Sequence, residues 1–290
     1  MVAISPRMRN LLAALVLLSA CGTDVMPRDD GSTDGTSRLI DGTWQLPPNT
    51  EKYLCVRKTV QTDTYISTIS PVAPLGTHHT VLMVGPADGP DGTTECTSAL
   101  VKPAIFGSGV GTDALQLPDG IAVHLKPGDQ LLLNLHLNNP GDSALSGTSG
   151  IDIEEIDPTL VEHEAAVVLA GKTAGLYVAP GGASTQTGTC TTPAGITMFA
   201  VAPHMHLLGT HMKVTYGAQV VMDSDYSFDQ QKFQMMAAPI TTVAGGKYTV
   251  TCSYFNPTGT AVTFGESTDN EMCFAMTFLY PPQMATTCTQ

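Results

Sequence analysis

The sequence predicts an all-β protein of the sandwich type, and two observations carry that prediction. Runs rich in Val, Leu, Thr and Tyr recur along the chain at 53–60, 80–84, 130–137, 165–169, 197–201, 213–216, 247–254 and 272–280. Gly/Pro/Asp/Asn turns separate them, as at 88–92, 126–129 and 256–259. No long segment shows the 3.6-residue apolar period of a helix.

The chain in order begins with a segment outside the fold. In residues 1–20, Arg7 and Arg9 precede a short apolar run at 11–18, too short to remain in a bilayer as a spanning helix. It closes on Leu18-Ser19-Ala20-Cys21, which resembles a bacterial lipoprotein signal and implies a lipid on Cys21. Residues 21–42, centred on the Gly/Ser/Asp-rich stretch 29–37, read as a flexible tether. The expectation is an exported protein, lipid-anchored to a bacterial membrane in the periplasm or at the cell surface, touching the membrane through the lipid only. About 250 residues remain, enough for one large β domain or two ordinary ones. The stretch 156–162, after the Gly/Ser-rich 141–150, reads as a boundary between parts 43–155 and 156–290. The net charge of -13 argues against nucleic acid and anionic lipid surfaces as partners.

Beyond Cys21 six cysteines remain: Cys55, Cys96, Cys190, Cys252, Cys273 and Cys288. An even number in an exported chain reads as three disulfides, with fifteen pairings open. If the two parts are separate domains, Cys55 pairs with Cys96 and three pairings remain for the other four. No Gly-x-Ser-x-Gly occurs, and the loop 107–111 lacks the Gly-Lys-Ser/Thr of a phosphate cradle, so hydrolase and nucleotide-binding readings have no support.

The chemistry-bearing residues form four groups. His204 and His206 stand two apart beside a strand-like run, so both imidazoles face one way and Met205 the other. An isolated pair of this kind is as well explained by water or backbone partners. His78 and His79 are adjacent and could share a metal only if the backbone bends there, as at a strand end or bulge. His136 lies within the apolar run Leu132-Leu133-Asn134-Leu135-His136-Leu137, where a polar ring needs a partner. Met272 sits in Asp269-Asn270-Glu271-Met272-Cys273; its thioether would favour Cu(I), whereas imidazole serves both copper oxidation states.

In this order and company, the groups resemble the copper type II, ascorbate-dependent monooxygenases, the family of peptidylglycine α-hydroxylating monooxygenase and dopamine β-monooxygenase. The resemblance spans roughly 43–282. His78-His79 and His136 match the family's first copper site. His204-Met205-His206-Leu207-Leu208-Gly209 and Met272 match its second. The resemblance implies two tandem jelly-roll-type β-sandwich domains with a copper site on each, facing a cleft. It implies two coppers per chain and the disulfides Cys55–Cys96, Cys190–Cys288 and Cys252–Cys273. It implies an electron-storing role for His78, His79 and His136, and a catalytic role in oxygen activation for His204, His206 and Met272. The reaction would hydroxylate a C–H bond of a small or peptide-like substrate with O2 and a one-electron donor such as ascorbate.

The sequence departs from the peptide-amidating members near that second site. They carry Arg two residues before the His-x-His pair, where this chain has Ala202. They carry Asn and Tyr one and three residues after the Cys that follows Met272, where this chain has Phe274 and Met276. A glycine-extended peptide is therefore not expected as substrate, and a small or apolar molecule is. The competing readings are a non-catalytic copper-binding protein of the same fold and a surface β-sandwich with vestigial sites. His124, His163 and His211 match no ligand position.

Overall fold

The computed structural model describes residues 35–97, 102–109, 111–228, 231–265, 267–282 and 287–289. The signal segment 1–20, the lipidation site Cys21 and most of the tether lie outside the described residues. Among the described residues the protein is all β, with one short 3-10 turn at Pro158–Leu160. No helix there is long and apolar enough to cross a membrane.

Four larger sheets are stacked in layers. In the first half, a sheet built on Ser37–Leu46, Leu145–Glu155, Thr64–Val72 and Ile121–Leu125 faces a five-stranded sheet of Gly92–Glu95, Thr50–Thr59, Asp129–Asn139, Thr77–Pro86 and Ala104–Gly109. In the second half, a five-stranded sheet of Gln234–Thr241, Thr197–His204, Cys273–Tyr280, Ala166–Lys172 and Thr287–Thr289 faces a four-stranded one of Gly182–Thr192, Gly246–Asn256, Gly209–Tyr216 and Gln219–Asp225.

Two strands explain how the layers hold together. Asp129–Asn139 points Leu131, Leu133, Leu135 and Leu137 into the first sandwich, all at most 1% exposed. Each such burial contributes roughly 2 kcal/mol. Its alternate residues, Leu132, Asn134 and His136, therefore leave that core on the opposite face. Cys273–Tyr280 is buried on both faces. Cys273, Ala275 and Leu279 join the core of the second sandwich, while Phe274, Met276 and Phe278 join the apolar layer continuous with the first. The outward face of the His136 strand and one face of the Met276 strand thus belong to neighbouring layers, and the site forms there.

Two expectations are corrected. Residues 37–42, read as the end of the tether, belong to strand Ser37–Leu46, which pairs with Leu145–Glu155 from Ser37↔Ile153 onward. Ile40 anchors this end at 2% exposure, and Arg38 bonds the Asp152 carboxylate. After the turn at Pro158–Leu160, His163–Glu164 still pairs with Ile121–Leu125 of the first half, and the second half's own sheet begins with Ala166–Lys172. Short-range pattern misses this crossing because the two bridging residues are polar.

Three disulfides join Cys55–Cys96, Cys190–Cys288 and Cys252–Cys273. The last ties Gly246–Asn256 to the residue after Met272. Close by, Gly171 lies under Cys273: a β-carbon on Gly171 would overlap the Cys273 carbonyl oxygen, which is backbone and has little room to move. Gly171→Ala is therefore expected to destabilise the protein by about 1–3 kcal/mol. Urea denaturation checks this through a lower midpoint at unchanged slope.

Candidate metal centre

The first histidine group depends on a break in strand regularity. Thr77 pairs with Leu137 and His79 with His136, so two steps on one strand match a single step on the other. His78 is the extra residue of a bulge, which turns its ring toward that of His79 instead of away from it. His136, fully buried on the central strand, completes the group. Its Nδ1 lies 3.1 Å from Nδ1 of His78 and 3.1 Å from Nδ1 of His79. Nitrogen atoms from all three rings lie within 4.8 Å of one another.

Neighbours orient these rings. His136 donates Nε2–H to the Glu51 carboxylate, which leaves Nδ1 as the lone-pair side. Tyr53 stacks on the same ring at 4.4 Å and 5°. Burial, reinforced by His78, pushes His136 down to about 3. Burial and the surrounding imidazoles hold His79 well below the ordinary histidine value. Both rings are neutral at physiological pH, the form that ligates metals.

The second group closes strand Thr197–His204. His204 donates Nδ1–H to Oε1 of Gln231 at 2.8 Å, and His206 donates Nδ1–H to the Asn270 carbonyl at 3.1 Å. Each Nε2 is then the acceptor face. The two rings lie 5.5 Å apart at 90°. Burial, with His204 as a further cause, pushes His206 down to about 3, and burial lowers His204 too, against the bond it donates to Gln231. Met272 is 4% exposed and lines the same cavity as both histidines. Its carbonyl accepts the Tyr254 hydroxyl at 2.7 Å. Met205 is fully buried in the second sandwich core, on the other side from this cavity.

His79 lines that cavity as well, so both groups border one space of about 70 Å³. Phe228 narrows the space between the two groups. Its ring lies 4.7 Å from that of His78 and 6.0 Å from that of His206.

Residues 163–290 match the C-terminal domain of the copper type II ascorbate-dependent monooxygenases. DBH-like monooxygenase protein 1 of Mus musculus is 28% identical over 210 residues, covering 64% of this chain and 34% of that protein. The proteins of the same name from Homo sapiens and Gallus gallus are 28% and 27% identical over 209 residues, each covering 63% of this chain and 34% of the relative. Over its C-terminal part the chain is thus similar to the copper type II ascorbate-dependent monooxygenases. It spans about a third of the length of these curated relatives.

The donor sets suit the copper that gives this monooxygenase family its name. The first offers three imidazoles, those of His79 and His136 neutral, with ring nitrogens within 4.8 Å of one another. The second offers two neutral imidazoles and a soft thioether. The structure does not draw the other histidines into either group. His124 is bracketed by Glu164 at 2.8 Å and Asp63 at 3.0 Å, His163 stacks on Tyr280 at 4.4 Å, and His211 pairs with Asp223 at 3.0 Å. Glu51, Phe228, Gln231 and Glu271 shape the site without having been singled out by sequence. Of these only Glu271 carried a local signal, as an acid beside a buried ligand candidate.

Proposed function

We propose that the protein is a copper-dependent monooxygenase that hydroxylates a C–H bond of a small or apolar substrate, using O2 and a one-electron donor such as ascorbate. His78, His79 and His136 hold one copper, and His204, His206 and Met272 hold a second. Bound copper would supply one-electron redox chemistry and oxygen activation, which no side chain here can perform. The side chains do the rest. Glu51 and Gln231 fix the ring orientations, burial keeps the imidazoles neutral, and the apolar walls exclude water. The observation that carries this reading is the pairing of an all-imidazole set with an imidazole–thioether set around one cavity.

The same reading puts the chain outside the cytoplasm, lipid-anchored through Cys21 with no other membrane contact. The three disulfides support an oxidising compartment.

The test is copper analysis together with O2 uptake in the presence of ascorbate and a panel of small substrates. The expected result is two coppers per chain and substrate-dependent O2 uptake that releases a hydroxylated product. Tight copper binding with no uptake across the panel would instead identify a copper-binding protein. Less than one copper per chain would overturn both.

A further inference from the structure

The cavity that borders both histidine groups has walls from both halves of the molecule. Val81 and Gly107 come from the first half, and Ala202, Phe274 and Met276 come from the second. Among its described lining residues there is no Asp, Glu, Lys or Arg. Apart from the histidines, the polar side chains there are already engaged with one another, with a histidine or with the backbone. Thr80 and Ser108 share a hydrogen bond of 2.7 Å. Asn134 donates to the Thr97 carbonyl at 2.9 Å, and Gln231 donates to the Phe228 carbonyl at 3.1 Å while accepting from His204. A charged group entering this space would lose its water and meet no counter-charge.

Size narrows the class further. The volume of about 70 Å³ is around half of the roughly 150 Å³ apolar cavity that accommodates benzene. One contact sets the depth. A β-carbon on Gly107 would lie 2.7 Å from the Met276 methyl, so glycine in the first half and methionine in the second meet across the cavity.

We propose that this cavity is the substrate site and that it takes a short, neutral aliphatic compound, or the aliphatic end of a longer neutral one. Gly107 and Met276 set the size limit. Amines and carboxylates are rejected because no charged group in the walls neutralises them, and an aromatic ring bearing a side chain, as in benzyl alcohol, is rejected by volume. The fate of the bound C–H group rests on the monooxygenase reading; the binding preference does not.

The test titrates the full chain, free of copper, with butan-1-ol, butylamine, butyrate and benzyl alcohol, following the methionine methyl signals by NMR. Butan-1-ol is expected to shift Met272 and Met276 saturably, at least tenfold tighter than the other three, with the buried Met205 signal unmoved. Gly107→Ala should push the Met276 methyl inward and weaken butan-1-ol binding at least tenfold. Ala202→Val narrows the cavity from the other half and should do the same if Gly107→Ala folds poorly. Met276→Ala should admit benzyl alcohol, read at Met272. Equal or tighter binding of butylamine, butyrate or benzyl alcohol to the unaltered chain would overturn the proposal. So would no binding of any probe, or butan-1-ol binding unaffected in a folded narrowing variant. O2 uptake separates the two readings. Butan-1-ol binding without uptake sinks the monooxygenase alone, whereas uptake driven by an amine sinks the neutral-substrate proposal alone.

Discussion

His204→Ala or Met272→Ala is expected to lower bound copper from two per chain to one and to remove oxygenation. The loss should exceed the roughly 10–100-fold cost typical of deleting an outer partner of a metal ligand. The argument rests on separate supports for the two groups. The first is built on the sheet of Thr50–Thr59, Asp129–Asn139 and Thr77–Pro86, with the His78 bulge and Glu51 holding its rings. The second is held by Gln231, Glu271 and the Cys252–Cys273 disulfide. Removing one imidazole or thioether from the second leaves the first intact. His136→Ala should do the converse, sparing the copper held by His204, His206 and Met272 while slowing turnover under limiting reductant. Copper stoichiometry by mass spectrometry, with single-turnover product formation from pre-reduced protein, separates the cases. If either substitution emptied both groups equally, Phe228 would be the first place to look, since its ring touches His78 and approaches His206.

The strands that sequence exposes best are those buried on both faces, which read as nearly continuous apolar runs. The runs at 130–137 and 272–280 become Asp129–Asn139 and Cys273–Tyr280. The stretch 141–150 shows the limit. Its glycines and serines carry no strand signal, yet Leu145–Glu155 is a full strand. Gly147 is small because Trp44 packs over it: a β-carbon there would come 2.8 Å from the indole. That reason lies a hundred residues away and leaves no local mark. The histidine groups show the same division. Sequence could state the condition for His78 and His79 to converge, a bulge, but only the register with His136 reveals it. Phe228 and Gln231 belong to no motif, and their roles come from where the chain returns across the cavity. The disulfide pairing was open on cysteine count alone and needed the resemblance to narrow it.

Glu271→Ala is expected to cost stability and the second copper together. Glu271 is fully buried, and its carboxylate accepts three backbone N–H groups: His206 at 2.9 Å, Leu208 at 2.7 Å and Met272 at 3.2 Å. It thereby clamps the turn carrying His206 to the segment carrying Met272, two ligand candidates that are distant in sequence. Burial pushes its carboxyl up to about 7 while the three donors pull the other way, so the desolvation cost is offset only with those bonds in place. Alanine removes the buried acid but orphans the donors in a space closed to water. A net loss of about 2–4 kcal/mol follows. Glu271→Gln separates clamping from mere filling. Its single amide oxygen can replace Oε2 and keep the His206 and Met272 bonds, so only the Leu208 bond is lost, at a cost of about 1–2 kcal/mol. Urea unfolding of the copper-free protein measures the first effect, and competitive Cu(I) titration the second. Alanine should leave one tight copper per chain, at His78, His79 and His136. Glutamine should keep two, the second weakened by roughly 10–100-fold. Two tight coppers in a destabilised alanine variant would mean that Glu271 supports the fold alone and that His206 and Met272 are aligned by the Cys252–Cys273 bridge without it.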